Sequence, residues 1–302
     1  MLVEILGNYK IKFVLAMLLR IMIVLPFTYT AFALMAIVIV YSYSFTTNRF
    51  VWSSLSDKFV LVTYATTEFG AALCVALARK KIKMILLDTN EDRLLSLKSK
   101  LDQNICVVHR AIDIVHCSDF SFLEKYDIGL VIHQIGGSDS VPLHFIEQNI
   151  DQVLDSHLKA PLNLEKTVMI SMVEKHKGYI VNIGFGHSCL PSPHHSLNSA
   201  IKCVFKSWSQ SMYYEMMPFN VCVEYLEIEN MVDSKSIDRS TCFTPTVETA
   251  AKWAIATLGN SYFTVPHIFQ YIQYLFFNLI PKSIVARRRI SKNEEVKRRK
   301  VE

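Results

Sequence analysis

The sequence predicts an α/β domain built on a doubly wound parallel sheet, with an N-terminal transmembrane segment and a C-terminal membrane-associated helix. Three observations predict it. From Lys58 onward short apolar runs alternate with longer helical stretches. No charged residue occurs from Ile21 to Asn48, a stretch longer than the roughly 20 residues that span a bilayer. A second uncharged stretch runs from Ser261 to Pro281. The bulk composition agrees: of 302 residues, 51% are hydrophobic and 20% charged, which suits a globular body with added membrane-facing segments.

Residues 1–50 are read as the anchor. The run IMIVLPFTYTAFALMAIVIVYSYSFTTN lacks the short core and small-residue cleavage site of a signal peptide. A buried core helix is the alternative, disfavoured because no charge interrupts the run. Phe13–Leu19 is also apolar, and Pro26 allows a turn between two short passes. Lys10, Lys12 and Arg20 precede the run and Arg49 and Lys58 follow it. For a single span this bias puts the domain in the lumen; a hairpin or an interfacial first helix keeps it cytosolic. Both topologies stay open. The seven cysteines form no CxxC pair and no Cys/His set with metal-ligand spacing. They are expected as reduced, mostly buried thiols on the cytosolic side, with no metal site.

Residues 55–260 are read as the sheet domain. Its strands are expected at Phe59–Thr63, Met84–Leu87, Cys106–Val108, Leu130–Ile132, Tyr179–Ile183 and Val221–Leu226. Helices are expected at Glu68–Arg79, Asn90–Leu101, a broken Pro142–Val173, and Ser196–Met217. Ligands of such sheets sit at the carboxyl ends of the strands.

Residues 261–302 are read as a hydrophobic interfacial helix and a basic tail. Pro266, His267, Gln270, Gln273 and Asn278 make 261–281 a poor spanning helix, so it is expected to lie in the membrane interface, a core helix being the alternative. The tail carries Arg287, Arg288, Arg289, Lys292, Lys297, Arg298, Arg299 and Lys300. It is expected as a solvated, disordered terminus, with attraction to an anionic membrane as the second reading. No nucleic-acid motif accompanies it.

Several motifs follow in order. The first strand leads into Val62-Thr63-Tyr64-Ala65-Thr66-Thr67-Glu68-Phe69-Gly70. Later come Leu130-Val131-Ile132-His133-Gln134-Ile135-Gly136, Val181-Asn182-Ile183, Leu190-Pro191-Ser192-Pro193, Asn198-Ser199-Ala200-Ile201-Lys202 and Thr244-Pro245-Thr246-Val247-Glu248-Thr249-Ala250. In order and spacing this series resembles the short-chain dehydrogenase/reductase family, specifically its membrane-bound branch of very-long-chain 3-oxoacyl-CoA reductases and 17β-hydroxysteroid dehydrogenases. The resemblance covers residues 55–302 and implies a Rossmann-type fold, the endoplasmic reticulum membrane with a cytosolic domain, and reduction of a 3-oxoacyl-CoA with NADPH. The ending Arg299-Lys300-Val301-Glu302 is similar to a cytosolic dibasic retrieval signal.

The resemblance also implies where the site residues stand, and several are the wrong chemistry. Thr63 and Gly70 match the glycine-rich turn, but Tyr64 and Glu68 occupy two of its glycine positions. Glu68 puts a carboxylate where phosphates should rest, costing about 4 kcal/mol per contact at about 4 Å and an effective dielectric near 20. Glu68 is expected to cap the helix itself, or to point into water as a first-turn acid. Asp88 matches a ribose-holding acid that favours NAD, and Asp113, expected to end the third strand, matches an adenine-contacting one; surface roles are the alternatives. The tyrosine proton donor falls on Asn198, the serine on Phe185 and the supporting asparagine on His157, leaving only Lys202 of the four. A carboxamide exchanges no proton near neutral pH, and phenylalanine has no hydroxyl to polarise a carbonyl. His194 and His195 are candidate substitutes. After the sixth strand, Ile228 or Glu229 takes the place of a proline near the nicotinamide.

The expected function is therefore a catalytically inactive relative of the 3-oxoacyl-CoA reductase, a scaffold or partner in lipid metabolism that binds no cofactor. One alternative is a divergent NAD(P)H-dependent reductase; the other is a lipid-binding protein. Expected partners are membrane lipids and fatty-acid elongation enzymes. A homo- or hetero-dimer through Ser196–Met217 is expected as well, with intradomain packing of that helix as the alternative.

Overall fold

A computed structural model describes residues 50–301, except 51, 102–103, 115–116, 118, 136–142, 187, 189, 233–238 and 260, together with isolated helical positions between 17 and 39. The chain divides into two compact units, Met1–Thr47 and Asn48–Glu302. The spanning segment expected at 21–48 lies, apart from those isolated positions, outside the described residues. Among the described residues no helix is long and apolar enough to cross a membrane.

The second unit is an α/β sheet domain. Among the described residues its seven-stranded sheet runs in the order β3-β2-β1-β4-β5-β6-β7, and every pairing is parallel. The strands are β1 (Phe59–Thr63), β2 (Lys83–Asp88), β3 (Val107–Ala111), β4 (Ile128–Ile135), β5 (Gly178–Phe185), β6 (Val221–Ile228) and β7 (Phe263–Thr264). The helices are α1 (Glu68–Ala78), α2 (Glu91–Lys100), α3 (Ile150–Leu154), α4 (Ala160–Glu174), α5 (Ser196–Glu215), α6 (Val247–Ala256), α7 (Ile268–Leu279) and α8 (Lys282–Val301).

Both sheet faces are covered, which is why the strands read as continuous apolar runs. Alternate β1 residues serve opposite faces. Val60 and Val62 pack with Leu73 and Leu77 of α1 and Ala251 and Ala254 of α6. Leu61 packs with Leu164 and Val168 of α4 and with Ile180 and Val223. The strand order reverses between β1 and β4, so a crevice opens at the carboxyl ends of β1, β4 and β5.

The broken helix expected at 142–173 is present as a 3-10 turn (Phe145–Glu147), α3, a π-helical turn (Asp155–Lys159) and α4, while three other expectations need correction. Asn149 caps α3 through its side chain, and Pro161, which lacks an amide proton, sits in the first turn of α4. The basic tail is not irregular: it forms α8, and Val285 is buried against the domain. The stretch 261–281 contributes β7 to the sheet before α7 begins. Of the described cysteines only Cys74 is buried; Cys106 and Cys242 are exposed.

Candidate active site

The turn after β1 is held by its own side chains. Thr63 is fully buried, and its Oγ1 lies 3.2 Å from His133 Nδ1 and accepts from the Gln134 amide at 3.2 Å. Gln134 Nε2 donates to the carbonyls of Thr63 (2.8 Å) and Tyr64 (3.1 Å), locking β4 to the turn. Tyr64 adopts φ +49°, a left-handed conformation that costs an L residue about 1–2 kcal/mol and explains the usual preference for glycine there. Burial pushes its phenol up to about 12, helped by the negative charges of Asp88 and Asp113. Tyr64 is therefore a poor acid near neutral pH.

Glu68 does not cap α1. The cap is Thr67, in extended conformation, whose Oγ1 accepts from the Gly70 amide at 3.0 Å. That oxygen also lies 2.9 Å from the Tyr64 carbonyl and 3.0 Å from Gln134 Oε1. A short hydroxyl on the residue just outside the helix reaches the first free amides, whereas Glu68 is already the first helical residue. Glu68 is exposed. At Gly70 a Cβ would collide with the Tyr64 carbonyl, Thr67 Oγ1 and Gln134 Nε2, so glycine is required by the close approach of helix and turn.

Asp88 closes β2 and is 6% exposed. Its Oδ2 accepts from the Thr66 amide (2.8 Å) and Thr66 Oγ1 (2.7 Å), and its Oδ1 accepts from the Thr89 amide (2.7 Å). Both carboxylate oxygens are thus engaged within the protein. Asp113 is exposed and lies beyond β3 rather than ending it. The last rung of that pairing joins Ala111 to Asp88, the final residue of β2, so the ladder has no partner further on.

At the end of β5 the Phe185 ring meets Phe69 of α1 edge-on at 5.2 Å. Its carbonyl accepts a hydrogen bond from Lys202 Nζ, which reaches across from α5. Burial and the Arg289 charge hold the Lys202 ammonium below its ordinary range, opposed by Glu227 and Glu229. Asn198 lies one turn before Lys202 on the same face of α5.

His157 stands in the π-helical turn. Burial and then the Lys202 charge hold its imidazole below the usual value. His133, fully buried on β4, is pushed down to about 3 by burial and by His157. Its Nε2 has no hydrogen-bond partner among the described residues. Burial thus shifts all three of His133, His157 and Lys202 towards their neutral forms. His194 has φ +66°, and its ring packs edge-on against His144 at 4.5 Å. His195 precedes α5, where its carbonyl accepts from the Ser199 amide at 2.9 Å. The Lys202 charge acts on the His157 imidazole.

Further residues around the crevice escape sequence reasoning. Ser188 donates to buried Glu227 through its amide (3.0 Å) and hydroxyl (2.8 Å), and Lys206 Nζ lies 3.3 Å from the same carboxylate. From α8, Arg289 Nη1 donates to the carbonyl of Pro191 (3.2 Å) and to Ser192 Oγ, and Asn293 Nδ2 donates to the Pro193 carbonyl (2.7 Å). The C-terminal helix is thereby pinned to the loop that leads into α5. His133 is visible in its motif as an imidazole inside an apolar strand; the Arg289 contact joins residues nearly a hundred positions apart and leaves no local signal.

Comparison with known proteins agrees with this architecture. The family model for short chain dehydrogenase matches residues 58–231. The inactive hydroxysteroid dehydrogenase-like protein 1 of Homo sapiens is 25% identical over 244 residues, covering 74% of this chain and 73% of that protein. The very-long-chain 3-oxoacyl-CoA reductase of Mus musculus is 25% identical over 265 residues, covering 80% of this chain and 83% of that protein. The crystal structure of the bulky-bulky ketone specific alcohol dehydrogenase from Comamonas testosteroni shares the fold, with a TM-score of 0.62, 21% identity, and coverage of 74% of this chain and 95% of that one. From the parallel sheet, the turn after β1 and the matched stretch 58–231, the chain belongs to the short-chain dehydrogenase family.

Proposed function

We propose that this protein is a non-catalytic member of its family, retained as a membrane-bound partner in lipid metabolism. One observation carries the reading: Lys202 is bonded to the carbonyl of Phe185, and the residues that should carry hydroxyls beside it are Phe185 and Asn198. Neither side chain hands a proton to a ketone. The residues at the turn do not fit a dinucleotide either. Tyr64 stands at a left-handed glycine position, Glu68 adds a carboxylate to the helix end that should receive phosphate, and Asp88 has both oxygens engaged by Thr66 and Thr89. We therefore assign no cofactor. Of two relatives of equal identity, one is itself named inactive and the other a very-long-chain 3-oxoacyl-CoA reductase. That pairing supports placement beside fatty-acid elongation enzymes, in the endoplasmic reticulum membrane, with residues 21–48 as the anchor and the sheet domain on the cytosolic side. The test is turnover: purified full-length protein in nanodiscs should oxidise neither NADPH nor NADH in the presence of a long-chain 3-oxoacyl-CoA. A rate above the enzyme-free background would refute the assignment.

A further inference from the structure

Helix α7 is built inside out. Its inward face is polar: Gln270 is 1% exposed and donates through Nε2 to the Asn230 carbonyl at 3.0 Å. On the same side the Tyr274 hydroxyl accepts from Lys206 Nζ at 3.1 Å. Its exposed residues are mostly apolar: Phe269 is 41% exposed, Phe276 61% and Leu279 83%, with Asn278 the one exposed polar residue of the helix. Spacings of seven and then three residues put these side chains on one helical stripe. Past Pro281, Ile284 at the start of α8 is also exposed, at 54%. Single exposed apolar residues are ordinary on a protein surface; a group of large ones on the side of a helix away from a hydrogen-bonded glutamine marks a contact surface.

The charge beside the row selects the partner. Exposed Lys282, Arg287 and Arg288 follow it directly, and no Asp or Glu occurs between Asn260 and Glu294. An apolar stripe followed along the chain by cations, with no acid on its own segment, matches a bilayer surface of anionic lipid, with the phenylalanines and leucine at the acyl boundary and the basic groups among the headgroups. Arg289, between these cations and the sheet, is held by Pro191 and Ser192. It anchors the elbow to the domain.

We infer that the outward face of α7 and the start of α8 form a docking surface for an anionic membrane, a contact made by the folded domain itself and separate from residues 21–48. The inference does not depend on whether a nucleotide binds.

Photocrosslinking of the full-length chain tests it. Phe276→p-benzoylphenylalanine and Leu279→p-benzoylphenylalanine are made separately, with Leu95→p-benzoylphenylalanine on α2, beside the opposite edge of the sheet, as the control. Each protein is reconstituted in vesicles of phosphatidylcholine, with or without about 30% phosphatidylserine. Irradiation should give lipid adducts by mass spectrometry at 276 and 279 and not at 95. The yield should rise severalfold with phosphatidylserine and fall severalfold in Arg287→Ser/Arg288→Ser. Crosslinks to a second copy, crosslinks within the chain, lipid adducts no greater than at 95, or yields indifferent to phosphatidylserine would each overturn the proposal. Resistance to alkaline carbonate extraction, measured on the same vesicles, reports separately on the 21–48 anchor.

Discussion

Lys202 donates a hydrogen bond to the main-chain carbonyl of Phe185, the residue to which the family resemblance assigns the place of a catalytic serine. A lysine that is mostly buried needs such an acceptor, because an uncompensated buried charge is expensive. The contact gives Lys202 a structural use that survives the loss of its tyrosine. Lys202→Met should therefore lower stability by about 1–3 kcal/mol in urea unfolding, leaving a buried carbonyl without its donor. An unchanged midpoint would show that the contact carries no weight.

Restoring the hydroxyls alone should not restore an enzyme. Phe185→Ser with Asn198→Tyr returns the polariser and the donor but leaves Tyr64 and Glu68 in the turn. NADPH oxidation with a 3-oxoacyl-CoA is expected to stay at background in that double variant. It should rise by at least about 100-fold only when Tyr64→Gly and Glu68→Gly are added. Activity in the double variant would mean that the turn is no obstacle.

Asp88 offers a cleaner discrimination between structure and ligand binding. Its carboxylate accepts two hydrogen bonds from Thr66, which fasten the turn to β2, and two from Thr89 beside it. Asp88→Ala should cost about 2–4 kcal/mol of stability and leave any nucleotide response unchanged, since the oxygens face the protein. A ribose-holding acid would behave in the opposite way, with affinity lost and stability kept.

The buried carboxyls and imidazoles give opposed pH dependences. Burial pushes Glu165 and Glu224 up to about 8, from an ordinary value near 4.5. The folded state therefore holds their protons more tightly than the unfolded chain. Their contribution is full below about 4.5 and is lost as pH rises towards 8. His133 runs the other way: with its folded value near 3 against 6.5, it favours the native state fully above 6.5 and loses that contribution as pH falls towards 3. Glu224 has the Gly259 amide and Thr264 hydroxyl to steady its charge, whereas at Glu165 burial is opposed by the Asn182 side chain. Glu165→Gln should flatten the alkaline limb of the stability profile from denaturant melts between pH 5 and 9. His133→Phe should flatten the acid limb. Parallel profiles for wild type and both variants would rule out this origin.

The fold was legible because its signals are local. A strand buried on both faces reads as an apolar run, as in Val60–Val62 and Leu130–Ile132, and Thr67 and Thr246 are ordinary helix caps. The strand β7 was missed because Phe263–Thr264 is too short to show a period and sits inside a stretch read as membrane-facing. Helix α8 was missed because clustered arginines resemble a solvated tail, while the contacts that order it come from Pro191, Ser192 and Pro193. Within the site, Phe185, Asn198 and Lys202 were placed by resemblance, and the structure adds that Lys202 reaches the Phe185 carbonyl. The sequence did not reveal that Thr66 and Thr89 engage Asp88, or that the Lys202 charge acts on His157. Those relations depend on how the ends of β1, β2 and α5 meet in space.

Whether the turn after β1 accepts a dinucleotide is measured most directly by thermal unfolding of the full-length protein with saturating NADPH or NADH. A ligand present at about 100 times its dissociation constant adds about 2.7 kcal/mol, or several degrees of Tm for a domain of this size. With Tyr64, Glu68 and the engaged Asp88 in place, neither nucleotide should move the Tm beyond the scatter of replicates. A shift of several degrees that saturates with concentration and disappears in Lys202→Met would contradict the reading of this site as one that has lost its cofactor.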